Sequence, residues 1–139
     1  MKRRGVAAVV FLNEKGKKKY LILHRKLNWN GWELLKGGCK SFELEYRALK
    51  REVFEEIGIS DFKFKKTKYV NSFKYQKVFL KDNRFWNGAR HTVYLVEVFS
   101  KKIKIDKKEH SGFKWVSKKE ALKLLTWNDQ KKIFNKLAE

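Results

Sequence analysis

A helix with a defined end is the feature that most constrains this fold. From Glu43 to Ile57 the apolar side chains recur at helical spacing, and Gly58 follows where a helix C-terminal glycine is expected. The apolar face consists of Tyr46, Leu49, Val53 and Ile57. The spacing therefore predicts an amphipathic helix that ends at Gly58.

The segments on either side of this helix have the shorter period of β-strands. Gly5–Asn13 and Tyr20–His24 are apolar runs separated by a polar turn that contains Gly16, which predicts a hairpin. Further β-type runs are Trp32–Leu35, the residues around Tyr69-Val70, Lys77–Leu80, His91–Phe99 and Phe113–Val116, with a polar loop at Lys81–Ala89. A capping box at Ser117–Glu120 begins a helix that continues to Leu125, and a last amphipathic helix covers about residues 128–137. This mixed order predicts an α/β or α+β fold with a mixed sheet.

Length and cysteine content limit the class of protein. The 139 residues fit one domain, predicted to cover residues 1–139, and 42% apolar residues are enough for a core at this size. The single cysteine, Cys39, excludes an intrachain disulfide and a Cys-rich metal site. No apolar run is long enough to span a membrane, so we expect a cytoplasmic protein without a membrane partner.

The charge of the chain is strongly positive. Lys and Arg number 35 against 15 Asp and Glu, which gives a formal net charge of +20. Such an excess predicts a phosphate-rich partner such as a nucleotide or a nucleic acid. A lysine-rich proteome would produce the same excess without a specific partner, and both interpretations stay open. The sequence leaves the oligomeric state, monomer or dimer, equally open.

Three carboxylates of the predicted helix point to a metal ion. Glu52, Glu55 and Glu56 lie at i, i+3 and i+4, so they project into one sector of the helix. These carboxylates repel one another. An ordinary helix surface would alternate them with lysine, which this chain has in abundance, so their clustering requires an explanation. A divalent cation would neutralise the cluster, and hard oxygen ligands suit Mg²⁺ or Mn²⁺. A backbone carbonyl of Gly37-Gly38 could complete the metal shell, because glycine permits close approach. A solvated acidic helix face is the alternative.

The spacing over residues 37–59 is more specific than the acidic cluster alone. It reads G-x5-E-x7-R-E-U-x-E-E-x-G-U, where U is aliphatic, and it begins at Gly37 and ends at Ile59. With this motif and the flanking hairpin and C-terminal helix, the chain resembles the Nudix hydrolases. The resemblance implies an α/β/α sandwich with a central mixed sheet. It also implies hydrolysis of a nucleoside diphosphate linked to another moiety, with Mg²⁺ or Mn²⁺ on the motif helix.

The resemblance also assigns roles to single residues. The implied metal shell consists of the Gly37 carbonyl, Glu52, Glu55 and Glu56. Arg51 and Glu43 are implied to hold the loop and orient the acidic cluster, and Glu52 is the candidate general base for a metal-activated water. The family often has Pro before the Lys-Gly pair and Gly just before the first glutamate of the motif. This chain has Leu35 and Phe42 at those two positions.

A subgroup resemblance rests on two further segments. Trp32-Glu-Leu-Leu-Lys36-Gly37 and Glu109–Trp115 are similar to segments of the asymmetric diadenosine tetraphosphate hydrolases, as is the tail Trp127–Leu137. This similarity implies that Glu109 is an additional carboxylate at the metals, for which a charge at the rim is the alternative.

Four side chains are candidates for substrate binding. Phe113 and Tyr94 could stack on a base, although core packing is an equal alternative for both. Lys36 and His24 could contact a polyphosphate, although a lysine is commonly just solvated. His91 and His110 have no partner at metal-ligand spacing, so they are interpreted as structural or rim residues.

Three functions compete. The first is hydrolysis of a nucleoside polyphosphate, with diadenosine tetraphosphate as the best candidate. The second is removal of pyrophosphate or a cap from an RNA 5′ end, which the +20 charge favours. The third is a catalytically silent nucleotide-binding domain, and the intact glutamate cluster argues against it.

Overall fold

The elements follow the predicted mixed order, with four strands, a helix, three strands and two helices along the described residues. The computed structural model describes residues 1–75 and 87–139. The strands are β1 (Lys2–Glu14), β2 (Lys17–Arg25), β3 (Gly31–Glu33), β4 (Leu35–Gly38), β5 (Phe62–Lys74), β6 (Gly88–Val98) and β7 (His110–Val116), and the helices are α1 (Glu45–Ile57), α2 (Lys118–Leu124) and α3 (Asn128–Leu137). The predicted strand Lys77–Leu80 and most of the predicted loop Lys81–Ala89 lie outside the described residues, while Gly88 and Ala89 belong to β6.

The first strand, β1, organises the sheet. The strand order is β3-β2-β1-β6-β5, with β4 also paired to β1 and β7 to β2. The predicted hairpin is confirmed, because β1 and β2 pair antiparallel with Phe11 opposite Tyr20. Nearer its N-terminus β1 pairs antiparallel with β4, whereas β6 runs parallel to it along most of its length. The mixed sheet is thus confirmed.

Helices cover both faces of this sheet, so β1 is buried continuously over residues 5–10. Val6 and Ala8 face α1 and join Leu49 in one core cluster. The intervening residue Val9 faces the opposite side and joins Phe134 of α3 in a second cluster. The result is the predicted α/β/α sandwich, with α1 on one face and α2 and α3 on the other. Within the described residues no helix is long and apolar enough to cross a bilayer.

The predicted motif helix is present with one difference on its apolar face. Leu49, Val53 and Ile57 are fully buried. Tyr46 was expected beside them but is 39% exposed. In that first turn Glu45 points towards the sheet instead and accepts hydrogen bonds from Thr92 and Tyr94. Tyr46, one residue and about 100° further round, faces outward.

The end of α1 matches the prediction. Gly58 adopts the left-handed conformation, with φ of 72°, and its N–H donates to the carbonyl of Phe54. The helix begins at Glu45 rather than at Glu43, because Glu43 belongs to the preceding loop.

The predicted strand Trp32–Leu35 is two strands that pair with different partners. Glu33, at the end of β3, lies opposite Leu23 of β2, whereas Leu35, at the start of β4, lies opposite Ala8 of β1. Only Leu34 separates the two strands. The chain therefore changes partner strand immediately before Gly37-Gly38. As a result Gly37 lies against Glu52 of α1, and Glu33 lies near Glu56, one turn further along the same helix.

Candidate active site

The glycine of β4 lies directly against the helix carboxylates. A Cβ atom at Gly37 would collide with the carboxylate of Glu52, so this position can hold only a glycine without displacing that side chain. Glu52 itself is 7% exposed. Two of the predicted metal ligands, which come from separate elements, are thus adjacent.

Arg51 connects the loop to the acidic cluster. Its Nε and Nη2 donate to the two oxygens of Glu43 at 2.9 and 2.8 Å, which is a bidentate pair. Its Nη1 donates to Glu52 Oε1 at 2.7 Å and to Glu55 Oε2 at 3.3 Å, and Nη2 also donates to the Gly38 carbonyl at 2.8 Å. One guanidinium therefore fixes the loop and two of the three helix carboxylates.

The pair of Arg51 and Glu43 remains charged over the ordinary pH range. The hydrogen bonds from Arg51, and then that from the Lys40 N–H, lower the pKa of Glu43 to about 2. Hydrogen bonds to Glu43 likewise raise the pKa of Arg51 despite its partial burial. The loop anchor thus does not depend on a bound metal.

Glu56, the third helix carboxylate, has a different partner. His110, at the start of β7, places Nδ1 3.2 Å from Glu56 Oε2 and Nε2 2.8 Å from Glu33 Oε2. The second contact is a hydrogen bond, whereas the first is close but misaligned, so Glu56 Oε2 and His110 Nδ1 make no hydrogen bond within the described residues. All three side chains are buried.

Glu33 is fully buried and lies at the centre of a group of charged side chains. Arg25 Nη1 lies 3.2 Å from Glu33 Oε2 and 3.5 Å from Glu109 Oε2. Lys36 Nζ lies 3.7 Å from Glu33 Oε1. Burial would raise the pKa of Glu33, but Lys36, His110 and Arg25 outweigh burial and lower it.

Sequence reasoning missed Glu33 and His110. The sequence predicts a structural or rim position for His110, but the structure places its Nδ1 3.2 Å from Oε2 of the predicted metal ligand Glu56. A signal existed for Glu33, because a single acidic residue inside an apolar strand requires a buried partner. Nothing in the sequence spacing indicates that this partner is 77 residues away.

The donor set fits a divalent cation. Burial, together with the charges of Glu56 and Glu55, raises the pKa of Glu52 to about 7 in spite of Arg51. Burial also raises the pKa of Glu56. Ligand atoms of Glu56, Glu109 and His110 lie within 4.8 Å of one another. Crowded carboxylates with raised pKa values, one of which has a buried oxygen that accepts no hydrogen bond from the described residues, are stabilised by a hard cation such as Mg²⁺ or Mn²⁺.

The two predicted phosphate contacts have protein partners. Lys36 Nζ is paired with Glu33 Oε1. His24 Nδ1 lies 2.7 Å from Ser111 Oγ, and its ring packs edge-on against Trp32 with centroids 4.8 Å apart. Both side chains are partly exposed, so each could still reach a ligand.

Lys36 also lines a small cavity between the sheet and α3. The free space is about 10 Å³, enough for a single water and too little for a nucleobase. Its walls are Ala7, Leu34, Lys36, Asn71, Val93, Gln130 and Ile133.

The two predicted stacking residues have different surroundings. Tyr94 is 3% exposed, and its hydroxyl donates to Glu45 Oε1 at 2.8 Å. A buried ring has no free face for a base, so the stacking prediction is wrong for Tyr94, which packs in the core. Phe113 is half-buried and packs against the cluster on the α1 side, which leaves part of its ring in solvent.

Comparisons with known proteins agree with this architecture. The family model described as NUDIX domain matches residues 1–137. No curated protein matches the chain. A solved structure from Listeria monocytogenes, named as a NUDIX hydrolase, superposes with a TM-score of 0.81 at 22% identity, covering 98% of this chain and 92% of that one.

Two further solved structures are similar in fold. The Caenorhabditis elegans Ap4A hydrolase in a binary complex has a TM-score of 0.77 at 18% identity and covers 96% of this chain and 93% of its own. The Escherichia coli dihydroneopterin triphosphate pyrophosphohydrolase has a TM-score of 0.80 at 17% identity and covers 99% and 97%. At these identities the structures show the fold alone. The family model spans nearly the whole chain, and the chain therefore belongs to the NUDIX family.

Proposed function

We propose that this protein hydrolyses a phosphoanhydride bond of a nucleoside polyphosphate in a reaction that requires Mg²⁺ or Mn²⁺. The observation that carries the proposal is that four carboxylates converge where Gly37 lies against α1. Arg51 forms ion pairs with Glu52 and Glu55. His110 lies beside Glu56, and Arg25 contacts Glu109 next to it. Membership in the NUDIX family supports the same class of reaction, hydrolysis of a phosphoanhydride bond.

The side chains divide the chemistry between them. Glu52, Glu55, Glu56, Glu109 and the Gly37 carbonyl would hold the cation. When bound, the cation polarises phosphoryl oxygens and lowers the pKa of a water. Glu52 is the proposed general base, since its buried carboxylate lies against Gly37 beside the other carboxylates, where it could take a proton from a cation-bound water. Arg51 keeps that carboxylate in place through Oε1.

Diadenosine tetraphosphate is the proposed substrate. Support comes from the Trp32–Gly37 and Glu109–Trp115 segments, and one relative of similar fold is an Ap4A hydrolase. Lys36 and His24 are the proposed polyphosphate contacts, and Phe113 is a proposed base contact through the exposed part of its ring. A relative named for dihydroneopterin triphosphate has an equally similar fold, so substrate choice has to be measured.

An RNA 5′ end is the second candidate substrate, and the net charge of +20 favours it. A groove that binds RNA phosphates releases counterions, so its affinity falls steeply with salt, whereas a pocket for one short ligand responds less. A cytoplasmic location, a single domain over residues 1–139 and a monomeric or dimeric state stay predictions.

The deciding experiment is a product screen with and without Mg²⁺. The substrates are diadenosine tetraphosphate, nucleoside triphosphates, oxidised deoxynucleoside triphosphates, ADP-ribose and a 5′-triphosphate RNA, each at low and high salt. We expect Mg²⁺-dependent cleavage, fastest on diadenosine tetraphosphate, with a rate that depends on salt less steeply than binding of RNA would. Fastest cleavage of RNA with a steep salt dependence would favour the second candidate. Binding without cleavage of any substrate would indicate a silent domain and contradict the proposal.

A further inference from the structure

The loop that joins β4 to α1 contains a strained tight turn. The Glu43 N–H donates to the Lys40 carbonyl at 3.0 Å, and the Lys40 N–H donates to Glu43 Oε1 at 2.9 Å. Phe42 is the third residue of this turn and has a φ of 63°. Glycine is the residue that normally occupies such a position, and a bulky side chain there is an outlier. Because Glu43 is fixed by Arg51, the turn is held in this conformation by the site itself.

The ring of Phe42 does nothing for the core. Phe42 is fully exposed, whereas the next most exposed aromatic rings among the described residues, Phe54 and Phe99, are each 59% exposed. The chain thus combines an unfavourable backbone conformation with an unfavourable exposure of apolar surface. Backbone strain of this kind concentrates at ligand-binding positions, where function rather than stability retains it.

The charges around the ring limit what it can contact. Lys40, the first residue of the turn, is exposed, and the exposed Arg4 donates from Nη2 to the Glu43 carbonyl at 2.6 Å. Two copies of a chain that carries +20 repel each other, which disfavours a second copy on this surface. Aromatic rings among cations are the arrangement by which proteins bind nucleotides, the ring stacking on a base and the cations attracting phosphates.

We propose that the Phe42 ring stacks on a nucleobase of the substrate whose phosphates occupy the carboxylate site. The proposal rests on the proposed function and adds to it a base contact on the β4–α1 loop. Phe42 is a specificity residue in this account: it recognises a base and takes no part in bond cleavage.

Phe42→Gly is the informative variant, because it removes the ring and relieves the backbone strain at the same time. Its melting temperature should rise by roughly 2–5 °C, since glycine adopts a positive φ without penalty. Its dissociation constant for diadenosine tetraphosphate should increase roughly 5- to 100-fold, which corresponds to the loss of one stacked base. Affinity for inorganic tripolyphosphate, which has no base, should stay unchanged. Phe42→Trp should restore nucleotide affinity.

Two matched variants separate the effects. Lys15→Gly relieves a similar positive φ of 51° in the β1–β2 turn, at the opposite end of β1 from the site. Phe54→Ala removes a second exposed ring. We expect Lys15→Gly to raise stability and Phe54→Ala to leave it nearly unchanged, with no change in nucleotide affinity for either variant.

Binding is measured calorimetrically in Mg²⁺ with a methylene-bridged diadenosine tetraphosphate that cannot be hydrolysed, so the result does not depend on turnover. If wild-type protein binds nucleotide without hydrolysing it, the proposed function fails while the stacking proposal is still tested. Unchanged affinity of Phe42→Gly for the dinucleotide would overturn the stacking proposal. So would an equal loss for tripolyphosphate, a fall in melting temperature, or a dimer that Phe42→Gly dissociates in sedimentation.

Discussion

The two buried histidines of the sheet have opposite charge states because their neighbours differ. His91 of β6 faces the α3 side, its Nδ1 makes no hydrogen bond to any described residue, and its ring packs edge-on against Phe73. Burial, reinforced by Lys36 and Arg3 and only partly opposed by Glu33, lowers the pKa of His91 to about 3. His110 of β7 faces α1 between two carboxylates. Although burial alone would lower it, the contacts with Glu33 and Glu56 raise the pKa of His110 to about 9.

The two histidines therefore have different roles, structural for His91 and positioning for His110. His91 is a neutral ring that fills the space beside Gly5, where a Cβ would collide with it. His110 joins a proposed metal ligand to a fully buried carboxylate. Because the two residues are equally buried, variants at the two positions distinguish the loss of packing from the loss of a partner for Glu56.

The largest effect is expected at the carboxylates themselves. Glu56→Gln and, separately, Glu52→Gln should lower kcat by two or more orders of magnitude, because a neutral amide is a poor ligand for a hard cation. The fold should stay intact, and the apoprotein should become slightly more stable as repulsion on α1 decreases. Steady-state kinetics at saturating Mg²⁺ and a melting curve in EDTA test both statements. Near wild-type turnover in Glu56→Gln would contradict the metal assignment.

A smaller effect is expected at His110, which contacts the proposed metal ligand Glu56. His110→Gln should weaken Mn²⁺ binding by roughly 10- to 100-fold, as is typical when the partner of a metal ligand is removed. The matched variant His91→Gln should leave Mn²⁺ affinity unchanged, although both variants alter a buried ring. Equal losses of affinity in the two variants would show that packing, and not the Glu56 contact, is responsible.

The two histidines should also give opposite slopes of stability against pH. The folded-state pKa of His91 lies below the usual 6.5, so the unfolded chain binds the extra proton and stability falls as pH decreases from about 6.5 towards 3. By this linkage His91 alone costs roughly 2 kcal/mol between pH 6.5 and 5. His110 has a raised pKa, so the stability it contributes is present below pH 6.5 and is lost as pH rises through about 9.

Denaturant unfolding in EDTA at pH 5, 7 and 9 checks these signs. His91→Gln should be more resistant to acid than the wild type is. His110→Gln should lose most of its disadvantage relative to the wild type at pH 9. Parallel pH profiles for the two variants would refute the assigned charge states.

The smallest effect is expected at Phe113. Because its half-buried ring packs on the α1 side, Phe113→Ala should cost about 1–2 kcal/mol of stability, less than the 3–5 kcal/mol typical of a fully buried Phe. KM for diadenosine tetraphosphate should change less than it does in Phe42→Gly. Melting curves and KM measured on one preparation decide this. A large rise in KM with unchanged stability would show that Phe113 is a main base contact instead.

The sequence predicted the local part of the site and missed the non-local part. Arg51, Glu52 and Glu55 fall within one helical turn of each other, so their spacing determines their contacts. Glu33 and His110 meet only because the chain changes strand at Leu34 and because β7 pairs with β2. Tyr94 was misassigned for a related reason, since alternation along a strand does not show which face lies under a helix when both faces are covered.

The central claim is that the carboxylates hold a divalent cation, and Mn²⁺ binding to the apoprotein tests it most directly. Titration followed by the electron paramagnetic resonance signal of free Mn²⁺ should show saturable binding that Mg²⁺ displaces. The affinity should drop by at least tenfold in Glu56→Gln and stay unchanged in His91→Gln. Absence of saturable binding by the wild type, or equal affinity of the wild type and Glu56→Gln, would contradict the account.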